Sequence, residues 1–440
     1  MRRKIGSILL MIIFCISVIG CSNNDKNSEN GAKTNSENSG QNAETNKLKN
    51  VTLTYATWNE NQRDSIQATI DGFKKINPQI KVEIQITPWG EYWTKLEAAA
   101  TSGNMPDIVT MHTNQVEKYI KGSVLAQLDD LNQYDESFSY DNYDQGITKL
   151  YTYDNKHYGI PKDKDCVMLV YNKEIFDNAG VSHPTSDWTW NDLEQTAQKL
   201  TDKGKKIYGF NAYNNDQEAW GNFLYQNGGG FINEEKNISD LDNPKSIEAM
   251  QFFIDLYKNF SPSKEMQAEV DPITLFSSGI IAMEPMGNWQ FSYLTDNAAI
   301  KDKFAIAPLP AAPDGKRATI SNGLALSVPA DCKNMEEAKI FLTYAGSEQG
   351  MKDAASGPAI PAYNGVDKDW AEKHKDLYNT DVILTSLPHG VQLKGSELKT
   401  QWSSPMYEYV GKIFDGSMSV EEAFKKASEE MNKILAEETK

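Results

Sequence analysis

From Val51 onward the apolar residues switch repeatedly between a period of two and a period of 3.6, and few folds are open to a chain that does this. Residues 51–57 read as a strand. Ile66, Ile70, Phe73 and Ile76 then recur at helical spacing until Pro78 stops them. Ile80, Val82, Ile84 and Ile86 alternate with Lys81, Glu83 and Gln85, the pattern of a half-buried strand. Residues 91–101 read as a helix ended by Gly103, and residues 107–112 as a short strand. Strand, helix, strand, helix, strand is the beginning of a parallel α/β lobe, because crossover helices must cover the faces of the sheet they connect. A second series follows. Residues 166–171 form an apolar strand, 190–200 a helix capped by Thr189, and 207–213 a strand-like stretch. Ile247, Met250, Ile254 and Tyr257 mark a helix, residues 280–283 and 304–307 short strands, 324–328 a strand and 335–344 a helix. Val420, Phe424, Ala427, Met431 and Ile434 share one face of a last helix, which Ser419 and Glu422 open as a capping box. No repeat of solenoid period is present. The roughly 390 residues involved are too many for one simple core and suit two lobes.

The first 49 residues carry a different message. Arg2, Arg3 and Lys4 precede an apolar run at 8–19 broken only by Ser17, too short to span a bilayer and suited to a signal-peptide core. The run ends in Val18-Ile19-Gly20-Cys21, which resembles the lipobox of bacterial lipoproteins. That resemblance implies cleavage after residue 20, lipidation of Cys21, and attachment to the extracytoplasmic face of the cell membrane. Residues 22–49 hold only Ala32, Ala43 and Leu48 as apolar side chains, too little to offset the chain entropy of folding, and are expected to act as a tether.

The formal charge is −17, and loss of Arg2, Arg3 and Lys4 with the signal takes it to −20. Phosphate backbones need clustered Lys and Arg, so nucleic acid is an unfavoured partner. Cys166 and Cys332, far apart in sequence, are expected to remain free thiols. No nucleophile elbow, H-E-x-x-H, Walker A loop or G-x-G-x-x-G occurs. His112, His157, His183, His374 and His389 are dispersed without metal-ligand spacing, so no metal or cofactor is expected. The acidic residues read mainly as solvated faces, and the chain is not expected to be an enzyme.

Aromatic residues sit where a cleft would want them. Trp58 and Asn59 follow the first strand, Trp89 and Glu91 lie just past the second, and His112 ends the third. In an open α/β sheet ligands bind beyond the carboxyl ends of the strands, so these residues are aimed at one rim. Trp220, Trp289 and Trp402 lie near Gly, Asn or Pro farther on. An indole covers the C–H face of a sugar while Asp, Glu, Asn and Lys bond its hydroxyls, the mixture a pocket for a small polar ligand needs. Trp93, Trp188, Trp190 and Trp370 read as packing.

Longer stretches sharpen the reading. Trp89-Gly90-Glu91-Tyr92-Trp93, continuing through Leu96 to Ser102-Gly103-Asn104-Met105-Pro106-Asp107-Ile108, resembles the first-lobe signature of family 1 extracellular solute-binding proteins of ABC transporters. So do Tyr158-Gly159-Ile160-Pro161-Lys162-Asp163 with Leu169-Val170-Tyr171-Asn172-Lys173, Ser278-Gly279-Ile280-Ile281-Ala282-Met283 with Met286-Gly287-Asn288-Trp289, and Ala307-Pro308-Leu309-Pro310. The resemblance runs in order through nearly all of the chain after the tether. It implies a two-lobe periplasmic-binding-protein-like clamp with a mixed sheet in each lobe, residues 50–162 plus 311–360 in the first and 163–310 plus 361–440 in the second. It also implies a sugar or oligosaccharide held between the lobes, delivery to ABC permease subunits, and a monomer that meets the membrane only through its lipid. Lys162, Asp163 and Asp165 correspond to the crossover that offers polar groups to ligand, and Gly287, Asn288 and Trp289 to a loop carrying a stacking aromatic. Asn322 and Gly323 correspond to a glycine-rich return strand, although Ser321 stands where glycine is commoner. A ligand sensor for a receptor kinase and a secreted glycoside hydrolase are the alternatives.

Overall fold

The strand Val51–Thr57 (β1) opens the folded body where its alternation places it. The helix Arg63–Ile76 (α1) turns Ile66, Ile70 and Phe73 inward, and the strand Ile80–Ile86 (β2) leaves Lys81, Glu83 and Gln85 in solvent. The helix Trp89–Ser102 (α2), the strand Ile108–Met111 (β3) and the helix Thr113–Lys121 (α3) follow, with β1 between β2 and β3 and parallel to both. The strand period sorts side chains to two faces. Leu53, Tyr55 and Ile108 join Phe73 and Phe341 in one core, while Ala56, Val109 and Met111 join Tyr92, Leu96 and Val116 in another. The helix α2 starts two residues earlier than expected, directly after Pro88. The N–H groups of a first turn have no intrahelical acceptor, so a proline just ahead of them costs nothing. The computed structural model describes residues 50–393, 396 and 398–438; the expected signal peptide, Cys21 and the tether at 22–49 lie outside these residues.

The second sheet is built on the fully buried strand Val167–Asn172 (β4). Val167, Leu169 and Tyr171 pack on Trp190 and Leu193 of the helix Trp190–Leu200 (α4) and on Phe253 of the helix Pro244–Phe260 (α5). Met168 and Val170 face Phe276, Met286 and Phe291 on the other side. The strands Met283–Gly287 (β5) and Phe304–Ala307 (β6) flank β4, both antiparallel to it. The strand expected at 280–283 is shifted for a visible reason. Tyr208 N–H bonds Ile280 O at 2.9 Å and Ala282 N–H bonds Tyr208 O at 2.8 Å, so this stretch first pairs in parallel with residues near 208. That bridge brings a parallel component to the second sheet, and the 207–213 stretch forms no longer strand of its own.

The return to the first lobe comes later than residue 311. Ala311 exchanges backbone bonds with Trp188 and Trp190 at 2.8 and 2.9 Å, and the Thr319 hydroxyl accepts Val167 N–H at 2.8 Å. The strand Ala325–Ser327 (β7) is the first back in the five-stranded sheet, antiparallel to β3 and to Ile160–Pro161. The helix Met335–Gly346 (α6) closes that lobe, with Phe341 edge-on to Phe73 at 5.1 Å. The protein is thus a two-lobe α/β clamp with a mixed sheet in each lobe.

Three crossing segments lie side by side between the sheets. Lys162 N–H bonds Leu324 O at 2.7 Å, Asp165 N–H bonds Asn322 O at 3.0 Å, and Ile360–Pro361 pairs antiparallel with Asp163–Lys164. Gly323 permits this contact, since a Cβ there would come within 2.2 Å of the Asp163 carbonyl oxygen. The helices Lys399–Phe414 (α7) and Val420–Glu438 (α8) cover the second lobe through Met406, Val410, Phe424 and Met431. Half of the capping box forms: the Ser419 hydroxyl accepts Glu422 N–H at 3.3 Å, while the Glu422 carboxylate accepts from Lys426 at 2.9 Å. Cys166 and Cys332 are free thiols. Among the described residues no helix is long and apolar enough to cross a membrane.

Candidate functional site

The carboxyl ends of β1 and β3, the end of β5 and the crossing segments enclose a cavity of about 590 Å³. Its first wall is aromatic. Trp58 follows β1 and meets Trp89 edge-on at 4.9 Å and Tyr92 at 5.0 Å. Trp89, in the first turn of α2, keeps 44% of its surface exposed at the rim. His112 caps α3, its Nδ1 accepting Asn114 N–H at 3.1 Å. Burial, helped by the charge of Lys399, pulls its pKa down to about 3. The ring is therefore neutral near pH 7, and with Nδ1 an acceptor the hydrogen lies on Nε2.

The opposite wall is the turn after β5. Asn288 accepts Cys166 N–H through Oδ1 at 2.9 Å, and its buried Nδ2 has no protein partner among the described residues. The Asn59 Nδ2 on the first wall is likewise buried and without a protein partner. Such donors cost about 1–3 kcal/mol each when left unmade, so both are primed for an acceptor in the cavity. Trp289 is half-buried, and Gly287 serves it by having no side chain: a Cβ there would lie 2.2 Å from the indole.

The floor is acidic. Asp163 accepts Leu324 N–H and the Lys162 ammonium at 2.7 and 2.8 Å. Burial opposes the charge on Lys162, but Asp163, by its charge and its hydrogen bond, and Tyr55 together outweigh it and hold the pKa above the ordinary value. Asp165 accepts Asn322 N–H at 2.7 Å; burial raises its pKa to about 7, with the nearby charges of Asp163 and Glu218 adding to the rise. Glu218 sits in the single π-turn Asp216–Trp220, which Asn215 caps by accepting Glu218 N–H at 2.8 Å. The Glu218 carboxylate accepts from Tyr213 and Gln290, and burial brings its pKa to about 7 as well. Among the described residues the lining holds Glu60, Asp163, Asp165, Asp216 and Glu218 against one cation, Lys164, itself 3.0 Å from Asp367. Such a cavity repels anions and offers acceptors to hydroxyl donors.

Of the residues singled out in the sequence, Trp58, Asn59, Trp89, His112, Asp163, Asp165, Asn288 and Trp289 line this cavity. Six others do not. Glu91 is exposed and pairs with Lys95 at 3.1 Å; two positions past Trp89 on a helix, it points to the far side. Lys162 and Asn322 lie behind the floor, where Lys162 braces Asp163 and Gln62, and Gly287 makes room for Trp289. Trp220 and Trp402 are core residues. The Trp220 indole is fully buried against Phe231 and donates to Asn214 at 3.2 Å, and Trp402 donates to the Ser396 hydroxyl at 3.0 Å. The sequence reading passed over Asn215, Asp216, Gln217 and Glu218 just ahead of Trp220, and Tyr293 and Tyr407, which are 54% and 47% exposed on the lining. The polar run before Trp220 was the available signal for the first group. The α7 pattern carries none for Tyr407.

Hydrogen bonds tie the walls together. Asn61 Nδ2 donates to Trp289 O at 2.9 Å, and the buried Lys399 ammonium, its pKa brought down to about 8 by burial, donates to the Asn114 side chain. Among the described residues no group of three or more His, Cys, Asp or Glu is placed to hold a metal ion.

A model of the family described as bacterial extracellular solute-binding protein matches residues 57–352. The arabinooligosaccharide-binding protein of Bacillus subtilis is 26% identical over 363 residues, covering 80% of this chain and 78% of that protein. The diacetylchitobiose binding protein of Streptomyces coelicolor is 23% identical over 455 residues and the full length of both. Among solved structures, an ABC substrate-binding protein of Listeria monocytogenes in complex with cycloalternan is 26% identical with a TM-score of 0.80, over 88% of this chain and 99% of that one.

Proposed function

The chain belongs to the bacterial extracellular solute-binding protein family, and from that premise we propose that its cleft captures a sugar or oligosaccharide outside the cell and delivers it to the permease subunits of an ABC transporter. The observation that carries the reading is the composition of the cavity. Exposed faces of Trp89, Tyr293 and Tyr407 surround carboxylates and unpartnered amide donors, so C–H faces and hydroxyls are met together. The ligands named for those relatives, arabinooligosaccharide, diacetylchitobiose and cycloalternan, belong to the same chemical class. A ligand that touches both walls gains all its contacts only when the lobes are together, so binding shifts the population toward closure, and the permease reads that closed shape. The protein works by binding alone, as a monomer, without a metal or cofactor.

The same reading extends to the N-terminus. Cys21 carries the lipid, residues 22–49 tether the clamp, and the protein resides on the extracytoplasmic face of the cell membrane. Several acyl chains on one residue hold more firmly than one, each buried methylene adding ~0.8 kcal/mol.

Titration calorimetry with arabino-, chito- and malto-oligosaccharides should find at least one series that binds. Small-angle scattering at saturation should then give a smaller radius of gyration than the free protein. Signals that stay flat for all three series defeat the reading. For the anchor, Cys21→Ala expressed in a bacterial host should move the protein from the membrane to the soluble fraction. Equal partitioning of variant and parent would exclude lipidation there.

A further inference from the structure

The cleft does not stop at Tyr407. This residue projects from α7, and its hydroxyl donates to Asp216 at 3.0 Å, which holds the ring at the edge of the cavity. On its far side lies a second groove of about 690 Å³, and Asn215 and Tyr407 line both spaces. The new groove is therefore an extension of the main cleft along the second lobe. It is as roomy as the cleft. Tyr257 and Phe414 stand edge-to-face at 5.0 Å in its wall, and Gln267, its amide donating to Asn211 and to Ala212 O, also lines it.

Two features bear on what would fill it. Its charges balance: Lys412 pairs with Glu408 at 2.6 Å, and Lys264 stands near Asp415. A groove that is neutral overall suits a neutral, amphipathic occupant. Second, Gly411 lies one helical turn beyond Tyr407 on the same face of α7 and lines the groove, and a Cβ there would meet nothing within 4 Å. A glycine inside a helix is less favourable than alanine, so nothing in the helix itself favours it. Its effect is to keep the groove floor low.

We propose that this groove is a second binding segment, which takes the distal units of an oligosaccharide whose other end occupies the main cleft. The proposal rests on the saccharide reading above and adds a length preference to it. A chain leaving the cleft passes over Tyr407 and lies along Gly411 toward Tyr257 and Phe414.

The test is a set of titrations with linear arabino-, chito- and malto-oligosaccharides of increasing length against the parent protein, Gly411→Tyr and Gly411→Ala. In whichever series binds, affinity of the parent should keep rising after the main cleft is filled. Gly411→Tyr should bind the shortest member within about twofold of the parent yet lose on the order of tenfold for the longest, since one filled contact region is commonly a 1.4 kcal/mol matter. Gly411→Ala, which adds one methyl into open space, should follow the parent at every length and melt no lower. Long-chain affinities unchanged by Gly411→Tyr would overturn the groove and leave the saccharide reading standing. Equal losses for short and long chains would overturn it too, because the substitution would then act on the cleft. Binding by no series at all would remove the saccharide reading and the groove with it.

Discussion

Replacing Trp58 with alanine should weaken ligand binding by about 1–3 kcal/mol, roughly 5- to 150-fold, whereas Trp220→Ala should instead lower folding stability by about 3–5 kcal/mol. The contrast follows from where each ring lies. Trp58 is half-buried at the cavity, with Trp89, Trp93 and His112 at 4.9 to 6.3 Å. Its truncation removes a face that ligand would cover and opens onto solvent-accessible space, so the cavity penalty is small. Trp220 has no exposed surface, and its loss leaves a void among Phe231 and its neighbours that the second-lobe core has no freedom to fill. Trp289→Ala should resemble Trp58→Ala, because it lines the same cavity from the other lobe; Trp402→Ala should resemble Trp220→Ala. Thermal or denaturant melts beside calorimetric titration separate the two classes. A Trp58→Ala protein that melts far lower but, where folded, binds normally would place that ring in the core. A Trp220→Ala protein of parental stability would show that the second-lobe core repacks around the loss.

These cases show which parts of the molecule are legible in its sequence. β1, β2 and α1 fall where period and Pro78 put them, because alternation and helical spacing report directly on a half-buried element. Trp58, Trp89 and His112 reach the cavity because strand ends in an α/β sheet all open to the same side. The tryptophans of the second lobe are harder. Trp220 follows a polar run just as Trp58 follows a strand, yet the π-turn at 216–220 swings the indole inward and leaves Glu218 on the cavity. One extra residue in a turn reverses which side chain faces ligand, and no periodicity announces it. Tyr407 depends on how α7 docks against the second lobe, a long-range matter that the helix's own pattern does not encode. Gly287 and Lys162 matter through the residues they support, Trp289 and Asp163, a role visible only once the pairs are in contact.

Acidity should act on the site and the fold in opposite senses. Asp165 and Glu218 carry pKa values brought up to about 7 by burial, above the ordinary carboxylate range. In the unfolded chain both ionise near pH 4, so between about pH 4 and pH 7 the folded state holds protons that the unfolded state has released. Stability is therefore greatest at the acidic end of that window and falls as pH rises through it, by up to about 1.4 kcal/mol per pH unit for each proton held. Binding runs the other way. An ionised carboxylate accepts hydrogen bonds at both oxygens, and saccharide hydroxyls are donors, so ligand favours the charged forms and affinity should rise between pH 6 and pH 8 with release of protons. Calorimetry in buffers of different ionisation enthalpy measures that release directly. Asp165→Asn keeps an acceptor for the Asn322 N–H but has no proton to lose, so it should flatten the pH dependence and reduce the number of protons released. It should also make the protein more stable than the parent at pH 8, where the parent must hold two buried negative charges near one another. Affinity that is level from pH 5.5 to 8.5, or proton uptake on binding, would mean that ligand does not donate to these carboxyls and that its hydroxyls are met by the amides of Asn59 and Asn288 instead.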